Sequence, residues 1–313
     1  MKIWKVNSKM LKYVILAAAL LTVLPVQVPV HDISGNCTAG SLSHCFSYAL
    51  QSSVSTDRYE TSASQYPDMN SSTYKCGRSG VIEFGSRRLA TNLWGAPLDE
   101  NISPDDNCVF KNYDGTFGWT WNRTVPVALP GENNTSPIYP SVGTGTDPWG
   151  GHSTSKYLPV RIMNVSSFTL EVRYRYSALP SSSDSVNLAY DIWITDTDRP
   201  NHETPRKEVM IWLNRLNVPM PEDKRLEDVS DGYNTYRQYA IENATAFIID
   251  SAPSSGVKYH KANPKKLIDY LVAKGTLSGD LWVSKIDLGS EVWKSQGKIE
   301  IFKLYIKINN MLI

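Results

Sequence analysis

Residues 207–216 read KEVMIWLNRL, and residues 187–196 read NLAYDIWITD. Both alternate with a period of two, the repeat of a strand whose successive side chains point to opposite faces. In the first, Val209, Ile211 and Leu213 make an ordinary core face, while Glu208, Met210 and Trp212 share the other. In the second, Tyr190, Ile192 and Ile194 face one way and Asp191 and Trp193 the other. Each strand therefore presents an acid in line with an indole, and a carboxylate on an aromatic-lined sheet face is unusual. If the two strands are neighbours, the acids can share a proton or a hydrogen bond and push each other's pKa apart. The competing arrangement puts both acids on a solvated face, with the indoles covered by a loop.

The same period recurs in SFTLEVRYRYSAL (167–179) and KIEIFKLYIKIN (298–309), with LPGENNTSP- and LPSSSDS-type turn stretches between other runs. One stretch, NPKKLIDYLVAKG (263–275), is helical in pattern: Pro264 near its start, apolar Leu267, Ile268, Leu271 and Val272, and Gly275 at its exit. Many short strands, one short helix, no βαβ rhythm and no internal repeat make a β-sandwich.

A third acid stands in KIDLGSEVW (285–293), where Glu291 again precedes an indole, Trp293, by two residues. Cleavage of a glycosidic bond with retention needs two carboxyls about 5–5.5 Å apart, one a nucleophile and one a proton donor. Glu208 and Glu291 on facing or nearby strands of a concave sheet would supply them. Other chemistries have little support. There is no G-x-S-x-G elbow, and no histidine lies in a motif that would make it a general base. His31 and His44 fall in a polar stalk; His152, His202 and His260 read as surface loop residues. GTGTDPWG (143–150) lacks the lysine of a phosphate loop, and Asp105–Asp106 reads as a solvated turn before it reads as a calcium site. No spacing resembles a zinc site, and paired acids need no metal or organic cofactor.

Composition agrees with a large extracellular β-domain. The chain has 313 residues, 41% hydrophobic, with 32 basic against 31 acidic side chains and a formal charge of +1. Such a balance gives no support for a nucleic-acid groove. Nine tryptophans and 17 tyrosines suit strands, a carbohydrate cleft, or both. Residues 1–12 carry Lys2, Lys5, Lys9 and Lys12 and no acid, and residues 13–30 are almost wholly apolar. Residues 1–30 thus read as a signal peptide or an N-terminal membrane anchor, and the remainder faces outward, secreted or tethered to the outer face of the membrane. Residues 31–74, rich in Ser and Thr, read as a linker or stalk, part of which could instead form an edge strand. The third segment, 75–313, is the candidate catalytic domain. Asn-x-Ser/Thr acceptors occur at Asn36, Asn70, Asn101, Asn122, Asn133, Asn134, Asn164 and Asn243. Cys37, Cys45, Cys76 and Cys108 form an even set compatible with disulfides, for which composition leaves all three connectivities open.

From about Tyr74 onward the chain resembles the family 12 glycoside hydrolases, compact β-jelly-roll endoglucanases. The landmarks occur in the family's order: TNLWG (91–95), GTFGWTWNR (115–123), YPSVGTGTDPWG (139–150), AYDIWIT (189–195), EVMIWLN (208–214) and IDLGSE (286–291). The resemblance implies a jelly roll of two antiparallel sheets with a concave cleft and one short helix. It makes Glu208 the nucleophile, Glu291 the general acid/base and Asp191 the residue that orients the nucleophile. Ser290 stands where the family commonly has Thr. Asn92, Trp94, Met210 and Trp212, and also Trp121 and Trp149, become substrate-binding residues. A Cys76–Cys108 disulfide is implied, which leaves Cys37 to pair with Cys45. The expected activity is endo-acting hydrolysis of β-1,4-glucan by a monomer without cofactor or nucleic-acid partner, and a composition of 20% charged residues with many Asn, Ser and Thr suits acidic external surroundings. The alternatives are a non-catalytic carbohydrate-binding surface protein on the same fold and an enzyme that prefers xyloglucan.

Overall fold

The computed structural model describes residues 73–96, 105–124 and 137–313. The leader, the Cys37 and Cys45 pair, most of the stalk and five of the eight glycosylation acceptors lie outside the described residues.

Two sheets pack face to face. The outer sheet runs β1 (Thr73–Cys76), β4 (Cys108–Lys111), β5 (Phe117–Arg123), β16 (Val292–Ile308), β8 (Phe168–Ala178) and β14 (Val257–Ala262), all antiparallel, with β17 (Met311–Leu312) folded back on the end of β16. The inner sheet runs β2 (Val81–Phe84), β3 (Arg87–Ala90), β6 (Ser141–Gly145), β15 (Trp282–Gly289), β9 (Ser185–Thr195), β10 (Arg206–Leu216), β13 (Ala244–Ile248), β12 (Thr235–Ile241) and β11 (Arg225–Ser230), with β7 (Val160–Arg161) beside the start of β15. This is the expected jelly roll, with one departure from antiparallel pairing: β10 and β13 run parallel. Thr73 and Tyr74, at the end of the expected stalk, open β1 and pair with β4.

Alternation decides which face each strand buries. On β8, Phe168, Leu170, Val172, Tyr174 and Tyr176 point into the core, and the residues between them are half-buried or exposed. Full burial of each apolar side chain contributes roughly 1.5–3 kcal/mol. Strand β9 is buried along nearly its whole length because the core covers one face and the cleft wall the other. The helix α1 (Pro264–Ala273) forms where expected, with Asn263 capping its first turn by accepting from the Lys266 N–H, and its apolar stripe of Leu267, Ile268 and Leu271 buried.

Strand β16 ties the two layers together. Its first residues, Val292 and Lys294, pair with β9 in the inner sheet, and from Ser295 onward it pairs with β5 in the outer one. The corner that precedes it is held from within the core. Trp119 Nε1 donates to Ser290 Oγ at 3.1 Å, Arg123 donates to the Val292 carbonyl at 3.1 Å, and Trp121 Nε1 donates to Ser295 Oγ at 3.0 Å. The disulfide Cys76–Cys108 joins β1 to β4, as the resemblance implied. His260 departs from expectation: it lies on β14, 8% exposed, with neither ring nitrogen hydrogen-bonded and its ring 6.4 Å from that of Tyr190. Burial drives its pKa down to about 4.

Candidate active site

Strand β9 is the template of the site. Asn187, Ala189, Asp191 and Trp193 point from it to the same face, the one turned away from the core. On one side lies β10, where Met210 is opposite Asp191 and Glu208 opposite Trp193. On the other lies β15, where Asp287 is opposite Asp191 and Lys285 opposite Trp193. Glu208 and Asp191 are therefore diagonal neighbours on adjacent strands, within reach of one another through their side chains. The condition set by the sequence, that the two acid-bearing strands be neighbours, is met. Glu291 sits not in a strand but in the corner between β15 and β16. It reaches the same wall because Asn187, four residues before Asp191, holds it there.

That hold is close to complete. Asn187 Nδ2 donates to Glu291 Oε2, the Glu291 N–H donates to Asn187 Oδ1 at 3.0 Å, and the Asn187 N–H donates to the Glu291 carbonyl at 3.1 Å. Asn187 itself is wholly buried. So the same strand holds Glu291 through Asn187 and brings Asp191 against Glu208.

The electrostatics follow from crowding acids in a place with little water. Burial, then repulsion from Glu291 and Asp287, pushes Glu208 up to about 8, against a hydrogen bond from Asp191 that acts to lower it. Burial pushes Glu291 up to about 7, against the Asn187 amide. Asp191 is raised well above the carboxylate range, first by burial and then by Glu208 and Glu291. Its Oδ1 has no hydrogen-bond partner. Three such acids cannot all ionise together. Burial and mutual repulsion thus keep protons in the group near neutrality, with Glu208 raised at least as far as Glu291 and Asp191 raised as well.

The wall has further members that the sequence reading did not single out. Tyr139, 6% exposed, faces Asp191, and its hydroxyl donates to the Ala189 carbonyl at 3.4 Å. The ring lies over Gly289, where a Cβ would meet it at 2.5 Å, so this approach requires glycine. Lys285 Nζ lies 3.2 Å from Asp287 and 3.4 Å from Asp147, and these acids outweigh the burial that would otherwise lower its pKa. Asp287 in turn occupies the space that any side chain at Gly143 would fill.

These residues line a cleft of about 600 Å³ whose walls include Asn92, Trp94, Trp149 and Trp193. It continues past Glu208 into a second hollow of about 680 Å³ walled by Trp149, Trp193, Arg206 and Asn243. Glu208 thus stands partway along an extended groove. Trp94 is 63% and Trp149 38% exposed, and the Trp149 ring meets Trp193 edge-on at 4.8 Å with Arg206 over it at 5.2 Å. Three expected binding residues lie elsewhere. Trp121 is buried in the core beneath the Glu291 corner. Met210 and Trp212 share the Glu208 face but are buried with Ala189, Tyr239, Ile248 and Trp293 in a second apolar cluster. Alternation gives the face of a side chain and not what covers it.

A family model described as glycosyl hydrolase family 12 matches residues 87–310. Endoglucanase S of Pectobacterium parmentieri is 28% identical over 229 residues, which cover 70% of this chain and 81% of that protein. The xyloglucan-specific endo-β-1,4-glucanase A of Emericella nidulans is 21% identical over 220 residues, 69% of this chain and 82% of that one. Among solved structures, a family 12 xyloglucanase from Bacillus licheniformis in complex with ligand superposes with a TM-score of 0.62 at 24% identity, over 76% of this chain and all of the other.

Proposed function

The chain belongs to glycosyl hydrolase family 12, and on that premise we propose that it is a retaining endo-β-1,4-glucanase whose nucleophile is Glu208 and whose acid/base is Glu291. The observation that carries this reading is the convergence of Glu208, Asp191 and Glu291 on one cleft wall, each raised by burial and two of them fixed by residues of the same strand.

Glu208 attacks the anomeric carbon as the bond to the glycosidic oxygen breaks, and Glu291 transfers its proton to that leaving oxygen. A glycosyl ester forms on Glu208, and the negative charge has moved to Glu291. A water then gives a proton to Glu291 while its oxygen attacks the anomeric carbon, which releases the Glu208 carboxylate. The site carries one charge before and after each half-reaction, which suits a pair of buried acids that repel each other. Asp191 keeps its proton throughout and directs it at Glu208, holding the attacking rotamer. Trp94 and Trp149 offer ring faces to pyranose units on either side, and the groove open past Glu208 admits a chain for internal cleavage. Secretion or outer-face tethering, residues 1–30 as leader and 75–313 as catalytic domain complete this reading.

Wild type and Glu208→Gln are compared on carboxymethylcellulose, barley β-glucan and xyloglucan by viscosity and reducing ends. Rapid viscosity loss that the variant abolishes supports the proposal. A folded wild type that binds these polymers and cleaves none would replace it with the non-catalytic binding protein.

A further inference from the structure

The face of the outer sheet turned away from the cleft is unevenly charged. Its three adjacent strands β14, β8 and β16 present Lys261, Arg173, Arg175, Lys298, Lys303 and Lys307 outward, against Glu171 and Glu300 as the only carboxylates in those strands. Both carboxylates are engaged, Glu300 by Arg175 and by Lys298 at 3.7 Å, and Glu171 by Lys261 at 3.1 Å. Arg173, Lys303 and Lys307 make no salt bridge among the described residues, and all three are exposed. Lys303 is opposite Arg173 on strands about 4.8 Å apart, and Lys307, opposite Thr169, follows about 13 Å further along β16, with Glu171 opposite Tyr305 between them. Each is seated on an aromatic ring: Arg173 5.8 Å from the centre of Phe302, and Lys303 and Lys307 4.3 Å and 5.8 Å from that of Tyr305.

With a formal charge of only +1 on the chain, this face is a segregation of charge rather than general basicity. Insertion into a lipid surface has little to work with, because the exposed large apolar side chains on these strands and β17 are few and split between two edges, Val257 and Tyr259 on β14 and Met311 and Leu312 on β17 beside Lys307. A row of ring-held cations bordered by an exposed ring suits a polymer of sugars that carries carboxylates. We propose that the face formed by Arg173, Lys303 and Lys307, bordered by Lys261 and Tyr259, docks uronate-bearing polysaccharide while the cleft on the opposite side remains free for neutral glucan. This inference rests on the chain being a glycoside hydrolase, but its test reads binding and not turnover.

The test is affinity electrophoresis of the full chain in native gels containing polygalacturonate, with single-stranded DNA and anionic phosphatidylserine vesicles as competitors. Retardation is expected at low salt and lost at high salt. In the triple variant Arg173→Gln, Lys303→Gln, Lys307→Gln, binding falls about tenfold. Its melting temperature and barley β-glucan hydrolysis stay at the wild-type level. The variant Lys224→Gln, Lys274→Gln, Lys156→Gln, with charges removed elsewhere, is expected to migrate as wild type. Absence of retardation at low salt, equal loss in both triple variants, or preferential competition by DNA or vesicles would overturn the proposal.

Discussion

Glu291→Gln removes a carboxyl that folding has moved from 4.5 to about 7. The folded state therefore holds its proton more tightly than the unfolded chain. Below pH 4.5 the group is protonated in both states and costs nothing; as pH rises through that window stability is lost, and above about 7 the loss is complete. A displacement of this size amounts to about 3 kcal/mol as an upper bound. Glu291 is part-exposed to the cleft, so water screens some of it and about 1–3 kcal/mol is expected. For a domain of this size that raises the melting temperature of the variant by roughly 3–8 °C at pH 8. At pH 4 the two proteins should melt together. Glutamine keeps an oxygen that can accept from Asn187, so the corner retains its hold, and the lost charge also relieves Glu208, for which Glu291 is the leading repulsive neighbour. Thermal unfolding by circular dichroism at the two pH values reads the effect directly. An equal change at both, or a less stable variant at pH 8, would refute the claim that the site stores electrostatic strain.

Other outcomes follow from the same structure. Asn187→Ala removes a donor that stabilises ionised Glu291, so the alkaline limb of the kcat/KM profile should move up by about one pH unit while kcat falls; an unmoved limb would show that Asn187 only packs. His260, buried neutral and lowered to about 4, makes stability fall as pH drops from 6.5 toward 4, by up to about 3 kcal/mol; in His260→Leu that acid slope should flatten, and an unchanged slope would place the acid sensitivity elsewhere. Replacing Cys76 and Cys108 by Ser opens a crosslink across 32 residues and should lower unfolding stability by about 3 kcal/mol in urea titrations, with glucan hydrolysis at 25 °C retained.

Much of this was legible because strands report their faces. In KEVMIWLNRL and NLAYDIWITD the alternation set Glu208 and Asp191 each in line with an indole and left a solvated face open; it is the pairing of β10 with β9 that makes that face one wall. Asn187 lies on the same alternation, but an amide at the start of an apolar run reads as a strand boundary, and only the returning corner shows what it holds. Lys285, Asp147 and Asp287 carried no signal in the sequence, since nothing local reveals that Gly143 leaves room for Asp287 between β6 and β15. Trp121 failed as a cleft residue for the converse reason: period two cannot tell a ring that meets sugar from one that pins Ser295 beneath the corner. His260, read from sequence as a surface loop residue, sits in a six-residue strand.

The central claim is that Glu208 carries the glycosyl group. Incubation with an activated 2-deoxy-2-fluoro-β-cellobioside, followed by intact mass and peptide mapping, tests it most directly. One cellobiosyl unit attached at Glu208, absent in Glu208→Gln, is the predicted result. A label on any other residue, or turnover of glucan oligosaccharides to the α-anomer with no label at all, would contradict it.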